Sequence, residues 1–149
     1  MIHLVRTNSE NQDFIDLVKL LDADLAIRDG DDHAFYDQFN KIDRIKHAIV
    51  LYKDSVAVGC GAIKEFEPEV MEVKRMYTLP NYRGQGHATC ILTELELWAK
   101  ELAYKTCILE TGKKQPEAIQ LYIKNGYLKR PNYGPYLHVE NSVCFQKTL

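Results

Sequence analysis

Residues 83–89, Arg-Gly-Gln-Gly-His-Ala-Thr, form the segment of this sequence best suited to hold an anion. They lead into apolar positions repeated at three- and four-residue steps, which predict an amphipathic helix from about His87 to Leu102. The first four N–H groups of a helix lack internal partners and lie at the positive end of its dipole. Small residues at Gly86 and Ala88 allow a phosphate to approach that backbone closely. The turn therefore favours a pyrophosphate group as its ligand.

Two familiar nucleotide-binding motifs are excluded at this turn. It has no Gly-Lys-Ser/Thr sequence, so it is not a Walker loop, and Thr89 stands where a G-x-G-x-x-G motif requires its third glycine. A Gly-x-Gly before a helix is also often only a turn, and the motif alone leaves that interpretation open.

The elements around the turn alternate between strand and helix patterns. Their predicted order is strand, helices, three antiparallel strands, helix, strand, helix and two strands, with no internal repeat or linker. We therefore predict one domain over residues 1–149, of the α/β (α+β) class, with a single sheet flanked by helices. The predicted strands cover residues 2–6, 48–52, 56–63, 69–78, 106–109, 127–129 and 139–147. The predicted helices cover residues 14–28, 87–102 and 116–124, and the polar segment 31–46 is predicted as a loop with a possible short second helix.

The sequence around the turn resembles the GNAT acyltransferase superfamily. Arg83, Gly86 and Ala88 fill the family pattern (Arg/Gln)-x-x-Gly-x-(Gly/Ala), and the similarity extends from about Leu51 to Tyr127. The resemblance implies a central mixed, mostly antiparallel sheet with a splayed strand pair, flanked by about four helices. It also implies an acetyl-CoA-dependent N-acetyltransferase, in which a primary amine of a small molecule or peptide attacks acetyl-CoA directly in a ternary complex.

The resemblance further implies where coenzyme A binds. Pantetheine would lie between the strand 74–78 and the strand near 109–111, with the backbone N–H of Met76 facing the thioester oxygen. Many members carry an Asn at the following strand-helix junction, whereas this chain has Glu110-Thr111-Gly112 and then Gln115, so that the contact is made either by Gln115 or in a different way. The predicted cofactor-binding residues are Met76, Tyr77, Thr78, Arg83, Gly84, Gln85, Gly86, His87, Ala88, Thr89, Thr111 and Gln115.

Two residues are predicted to carry the proton transfers. Glu72 stands where related enzymes place a general base, and Tyr122 stands where they place the acid that protonates the departing thiolate. Strand alternation predicts that Glu72, Lys74 and Met76 share one face, opposite Val73, Arg75 and Tyr77. Lys74 could then pair with Glu72 and weaken it as a base. The alternatives are a solvated glutamate on a strand and a tyrosine that only packs on a buried helix face.

The acceptor site is predicted less specifically. An acidic loop with aromatic neighbours would attract a cationic amine, whereas Arg75 would instead hold a carboxylate. The alternative to an acidic loop that binds an amine is a solvated loop with no ligand. The predicted substrate-contacting residues are Arg75, Asp29, Asp31, Tyr36 and Tyr133.

Composition narrows the remaining classes of function. A net charge of -2 and a pI near 6.2 argue against nucleic acid as a partner. The four cysteines lack metal-ligand or disulfide spacing, so we predict reduced thiols and no metal. No leader-like or membrane-spanning segment is recognised, which predicts a cytoplasmic protein without membrane contact.

We predict a monomer or a homodimer paired through an exposed C-terminal strand from Val139. A non-catalytic acyl-CoA-binding sensor or interaction module of the same fold remains the alternative function.

Overall fold

Seven strands form one sheet in the order β1-β2-β3-β4-β5-β7-β6. The computed structural model describes residues 1–32 and 45–149. All neighbouring strands are antiparallel except β4 and β5, which are parallel, so the predicted mixed and mostly antiparallel sheet is confirmed. The strands are β1 (Ile2–Thr7), β2 (His47–Lys53), β3 (Val56–Glu67), β4 (Val70–Thr78), β5 (Thr106–Gly112), β6 (Leu128–Arg130) and β7 (Ser142–Thr148).

Three α-helices lie in the described part of the chain: α1 (Gln12–Asp29), α2 (His87–Glu101) and α3 (Pro116–Lys124). Asn11 caps α1 by accepting a hydrogen bond from the backbone N–H of Phe14, and Pro116 occupies the first turn of α3. The predicted count of about four helices therefore differs from what is described. The segment predicted to hold a short second helix lies mostly in residues 33–44, outside the described residues. None of the described helices is long and apolar enough to cross a membrane.

Two apolar layers hold the sheet between its helices. On one face, Ile91, Leu92 and Leu95 of α2 are fully buried against β2 to β5. On the other face, Phe14 and Leu17 of α1 are buried against β2 and β3. Each fully buried side chain of this size stabilises the fold by about 1.5–3 kcal/mol relative to exposure. The sheet is thereby fixed from both sides.

A β-bulge interrupts β4 at Arg75. Arg75 and Met76 together oppose the single residue Gly61 of β3, and Arg75 adopts a φ of 62°. The extra residue shifts the alternation of side chains by one position. Residues after the bulge therefore face the side of the sheet opposite to the one that regular alternation predicts. The register pairs that flank the bulge are Cys60 with Tyr77 and Ala62 with Lys74.

The bulge makes one prediction from strand alternation wrong. Met76 packs with Val73 in the apolar cluster under α2, whereas Tyr77 packs in the cluster under α1. Met76 therefore does not share a face with Glu72 and Lys74. The contact between those two residues is confirmed, with 3.6 Å between the Lys74 Nζ and Glu72 Oε1 atoms.

The pair of strands β4 and β5 separates after a short paired stretch. Their pairing runs from Val70 to Glu72 on β4 and from Thr106 to Ile108 on β5. No further pair joins these two strands, both of which are described in full. The predicted splay is confirmed, and it opens a gap between the carboxyl ends of the two strands.

The end of the chain is not the exposed strand that was expected. Strand β7 pairs with β5 along Ser142–Thr148 and with β6 over residues 144–146. The expectation of an exposed strand from Val139 is wrong, because β7 lies inside the sheet and β1 and β6 form its edges. Whether the protein is a monomer or a homodimer stays a prediction.

Candidate active site

The splay of β4 and β5 opens into a cleft of about 430 Å³. Its walls come from the two strands, the turn before α2, α1 and α3. Most of the predicted site residues line it. Those that do are Asp29, Glu72, Arg75, Met76, Tyr77, Thr78, Arg83, Gly84, Gly86, His87, Ala88, Thr89, Thr111, Gln115 and Tyr122. Gln85, Asp31 and Tyr133 do not line the cleft, and Tyr36 lies outside the described residues.

The turn before α2 has the geometry of an anion site. Gly86 has a φ of 83° directly before the first residue of α2, and apart from its chain neighbours no described residue lies within 4 Å of the position where its Cβ would be. His87 is 6% exposed, and its Nε2 atom has no hydrogen-bond partner among the residues that the structure describes. A buried polar atom without a partner is costly, so this nitrogen is suited to a polar ligand. These features fit the predicted phosphate groups of coenzyme A.

Arg83 fixes the connection between β4 and this turn. Its Nε donates to the carbonyl oxygen of Thr78 at 2.8 Å, and its guanidinium lies 5.4 Å from the ring centre of Tyr77. Gln85 instead accepts a hydrogen bond from Lys53 at 2.9 Å. Direct contact of either side chain with phosphate stays a prediction.

A hydrogen bond that the sequence interpretation missed joins two walls of the cofactor side. Asn125, at the end of α3, donates to Thr89 Oγ1 at 3.2 Å and to the carbonyl oxygen of Leu121 at 2.8 Å. The Asn-Gly pair at residues 125–126 signalled only a helix end. Asn125 thus holds α3 and its tyrosine against the first turn of α2.

Tyr122 is buried beneath the cleft. It is 6% exposed, and its ring packs against Tyr127 and Phe145. No hydrogen bond joins its hydroxyl to another described residue. Burial raises the pKa of Tyr122, and the charge of Glu110 raises it further. The phenol therefore remains protonated and able to donate a proton at neutral pH.

Glu72 lies at the point where β4 and β5 separate, after the pair of Glu72 with Ile108, which we call the fork. The hydroxyl of Tyr133 donates to Glu72 Oε2 at 2.6 Å, while Lys74 lies beside Oε1. The side chain of Glu72 is 13% exposed. Tyr133 was predicted to contact the substrate, but the structure places it behind the carboxylate that lines the cleft. Its burial, followed by the charge of Glu72, raises the pKa of Tyr133.

A further carboxylate in the cleft, Glu110, was missed as a functional residue. Ser142 Oγ donates to Glu110 Oε2 at 2.7 Å. Burial raises the pKa of Glu110 to about 7, opposed by the hydrogen bond from Ser142 and reinforced by the charges of Glu72 and Asp29. The signal in the sequence was a charged residue directly after the apolar run 107–109, within a strand.

The predicted substrate residues are dispersed. Arg75 lines the cleft with a side chain only 2% exposed, and its Nη1 atom binds Asp22 at 2.8 Å. Within residues 1–32 and 45–149, its Nε and Nη2 atoms have no hydrogen-bond partner, and binding of a substrate carboxylate by Arg75 stays a prediction. Asp29 is buried in the cleft wall, whereas Asp31 is exposed outside it. Among residues 1–32 and 45–149, no cluster of side chains is arranged to hold a metal ion.

Comparison with known proteins identifies relatives of this arrangement. The sequence profile of the acetyltransferase (GNAT) family matches residues 14–127. Over 102 residues, the chain is 37% identical to the IAA acetyltransferase of Azospirillum brasilense, a stretch that covers 68% of this chain and 67% of that protein. The profile match over residues 14–127 includes both splayed strands and the turn before α2.

Solved structures show the same architecture. A candidate acyl-CoA N-acyltransferase from Klebsiella pneumoniae is 31% identical, with a TM-score of 0.84 over 100% of this chain and 98% of that one. The PaiA N-acetyltransferase of Thermoplasma acidophilum, solved in complex with coenzyme A, has a TM-score of 0.73 at 18% identity, over 100% of this chain and 99% of that one. The likeness to the second protein is one of fold.

Proposed function

Because the chain belongs to the acetyltransferase (GNAT) family, we propose that it transfers an acetyl group from acetyl-CoA to a primary amine of a small molecule or peptide, by direct attack in a ternary complex. The observation that carries this proposal is a single cleft that connects the anion-binding turn to buried carboxylates through the splayed strands. A donor and an acceptor can therefore meet without a covalent enzyme intermediate.

The donor side is supported by backbone geometry. The turn at residues 84–89 would hold the phosphates, and the unpaired edge of β4 would hold pantetheine. Bound acetyl-CoA supplies an activated thioester carbonyl. The backbone N–H of Met76 is our candidate for the donor to its oxygen, because the bulge at Arg75 and Met76 redirects the strand at the mouth of the gap.

The acceptor side must remove a proton from an ammonium group before attack. A carboxylate at the fork is chemically suited to that role, and Glu72 is the candidate that the family resemblance implies. Tyr122 lines the same cleft, and burial keeps its phenol protonated. We assign it the delivery of a proton to the departing thiolate.

The test is release of free thiol from acetyl-CoA by the purified protein in the presence of amines. The panel comprises polyamines, aminoglycosides, amino acids and peptides with free N-termini, with a reaction lacking amine as the control for hydrolysis. We expect amine-dependent thiol release and a product heavier by one acetyl group. Binding of acetyl-CoA by calorimetry without release by any amine would indicate a non-catalytic acyl-CoA-binding protein and overturn the proposal.

The anion-binding turn can be tested separately with Gly86→Ala. An added Cβ at a φ of 83° is strained by about 1 kcal/mol or more and would project into the space where the phosphates are expected. We expect the dissociation constant for coenzyme A, measured by calorimetry, to rise about tenfold, which is about 1.4 kcal/mol.

Gly30→Ala is the matched control for Gly86→Ala. Gly30 also has a positive φ, of 55°, with no atom of the described residues, adjacent backbone apart, within 4 Å of its Cβ position, but it follows α1 and is not part of the turn before α2. Both variants should lose stability, and only Gly86→Ala should lose affinity. Equal affinity of the two variants for coenzyme A would argue against phosphate binding at the turn.

A further inference from the structure

Two carboxylates flank the fork of the splayed strands. Glu72 of β4 is level with Ile108 of β5, and Glu110 lies two residues further along β5. Because side chains two apart on a strand share a face, Glu110 lies on the face of Ile108, where Tyr133 binds Glu72. Both carboxylates line the cleft, so both can reach a group bound at the fork.

The two carboxylates differ in how they are held. Glu72 is engaged at both oxygens, by the Tyr133 hydroxyl at 2.6 Å and by the Lys74 ammonium at 3.6 Å. Glu110 accepts one hydrogen bond, from Ser142 to Oε2, and no described residue is hydrogen-bonded to its Oε1. Glu110 therefore keeps an oxygen available to a ligand, whereas Glu72 is fixed in place.

Charged and titratable groups from four elements face Glu110. Burial disfavours a negative charge on Glu110 most strongly, the carboxylates of Glu72 and Asp29 disfavour it further, and the Lys74 ammonium opposes them. The environment thus favours uptake of a proton by Glu110 near neutral pH. The facing groups are Glu72 and Lys74 of β4, Asp29 of α1, Tyr122 of α3 and Cys144 of β7.

We propose that Glu110, rather than Glu72, accepts the proton that the acceptor ammonium loses before it attacks the thioester. In this scheme Glu72 and Asp29 hold the ammonium by charge, and the uncommitted Oε1 of Glu110 takes its proton. This inference rests on the proposed acetyl transfer and identifies a catalytic residue for it. It also defines the acceptor as an amine that binds in its protonated form.

The proton and bond changes balance. The ammonium gives one proton to Glu110, which becomes a neutral acid, and leaves a neutral amine. The amine nitrogen forms a bond to the acetyl carbon while the carbon–sulfur bond breaks. The nitrogen loses its second proton to solvent, Tyr122 gives its hydroxyl proton to the thiolate, and the resulting tyrosinate takes a proton back from solvent. Glu110 returns its proton to solvent, so one proton is released for each acetyl group transferred.

The first test compares pH–rate profiles of Glu110→Gln and Glu72→Gln, using whichever amine of the panel gives turnover. The rate of the unmodified protein should rise with pH through about 7, because the deprotonated form of Glu110 is the proton acceptor. In Glu110→Gln we expect kcat to fall about 100-fold at pH 7, with this rise lost. In Glu72→Gln we expect mainly a higher KM for the amine, with the rise retained. Glu67→Gln, on the exposed end of β3, is the control and should match the unmodified protein.

A second readout needs no amine. Infrared difference spectra between pH 5 and pH 9 should contain a protonated-carboxyl band that titrates near pH 7, present in Glu72→Gln and absent in Glu110→Gln. Coenzyme A affinity, measured by calorimetry, reports whether Glu110→Gln is folded. Turnover with an unchanged profile in Glu110→Gln, or loss of the pH-dependent rise in Glu72→Gln instead, overturns this inference and leaves the proposed function intact. No turnover with any amine overturns both.

Discussion

Tyr122→Phe is expected to lower kcat about 1,000-fold, within the range of about 10²–10⁴ that general acid catalysis contributes. The substitution removes only the hydroxyl. The ring would keep its contacts with Tyr127 and Phe145, so the packing of α3 against the sheet should survive. The dissociation constant for coenzyme A should therefore stay within about twofold of the original. Steady-state thiol release and calorimetry measure the two quantities on one preparation.

Tyr104→Phe provides the control for Tyr122→Phe. The hydroxyl of Tyr104 donates a hydrogen bond to Glu65 on the protein surface. Tyr104 does not line the cleft. Its kcat should match that of the unmodified protein. If Tyr122→Phe lost coenzyme A affinity in the same proportion as kcat, the role of Tyr122 would be packing rather than proton donation.

Gly61→Ala is expected to destabilise the fold by about 2 kcal/mol, as overpacking of a well-filled core does. A Cβ on Gly61 would lie 2.5 Å from the Met76 sulfur, 2.8 Å from Ile91 Cγ2 and 2.9 Å from Leu95 Cδ1. The methionine can move aside, but Ile91 and Leu95 are fully buried and have nowhere to shift. Urea denaturation should show a lower midpoint with an unchanged slope.

Gly112→Ala separates this clash from the general effect of replacing a strand glycine. Gly112 also lies in a strand, but the nearest atoms to its Cβ position are side-chain ends at 3.4 Å and 3.5 Å. We expect its free energy of unfolding to change by less than about 0.5 kcal/mol. Equal losses of stability in the two variants would show that the clash with Ile91 and Leu95 is not the cause of the destabilisation.

The sequence predicted the elements that follow a regular pattern. The repeat of Phe14, Leu17 and Leu21 predicted α1, and that of Ile91 and Leu95 predicted α2, because a helix that packs on a sheet must keep one face apolar. The glycine turn was predictable for a related reason, since glycine and small residues are required where a helix N-terminus meets a ligand. These features are local, so a short window of sequence contains them.

The features that shape the chemistry were harder to predict because they depend on distant residues. A bulge at Arg75 leaves no local signature, and a single inserted residue moved Met76 to the other face. Tyr133 and Glu72 are 61 positions apart, so their hydrogen bond follows only from the way the last strands fold back. The raised pKa of Glu110 likewise arises from burial by other elements and from charges on β4 and α1.

The short pairing of β4 with β5 divides the sheet into two panels, β1–β4 and β5–β7, joined edge to edge by only three residue pairs. Beyond those pairs, the backbone groups of both strands that face the gap lack the partners that a complete sheet would give them. An extended ligand that hydrogen-bonds to both edges acts as an eighth, removable strand. Part of the cohesion of this sheet would then be supplied only while the ligand is bound, which links the unfolding equilibrium to ligand concentration.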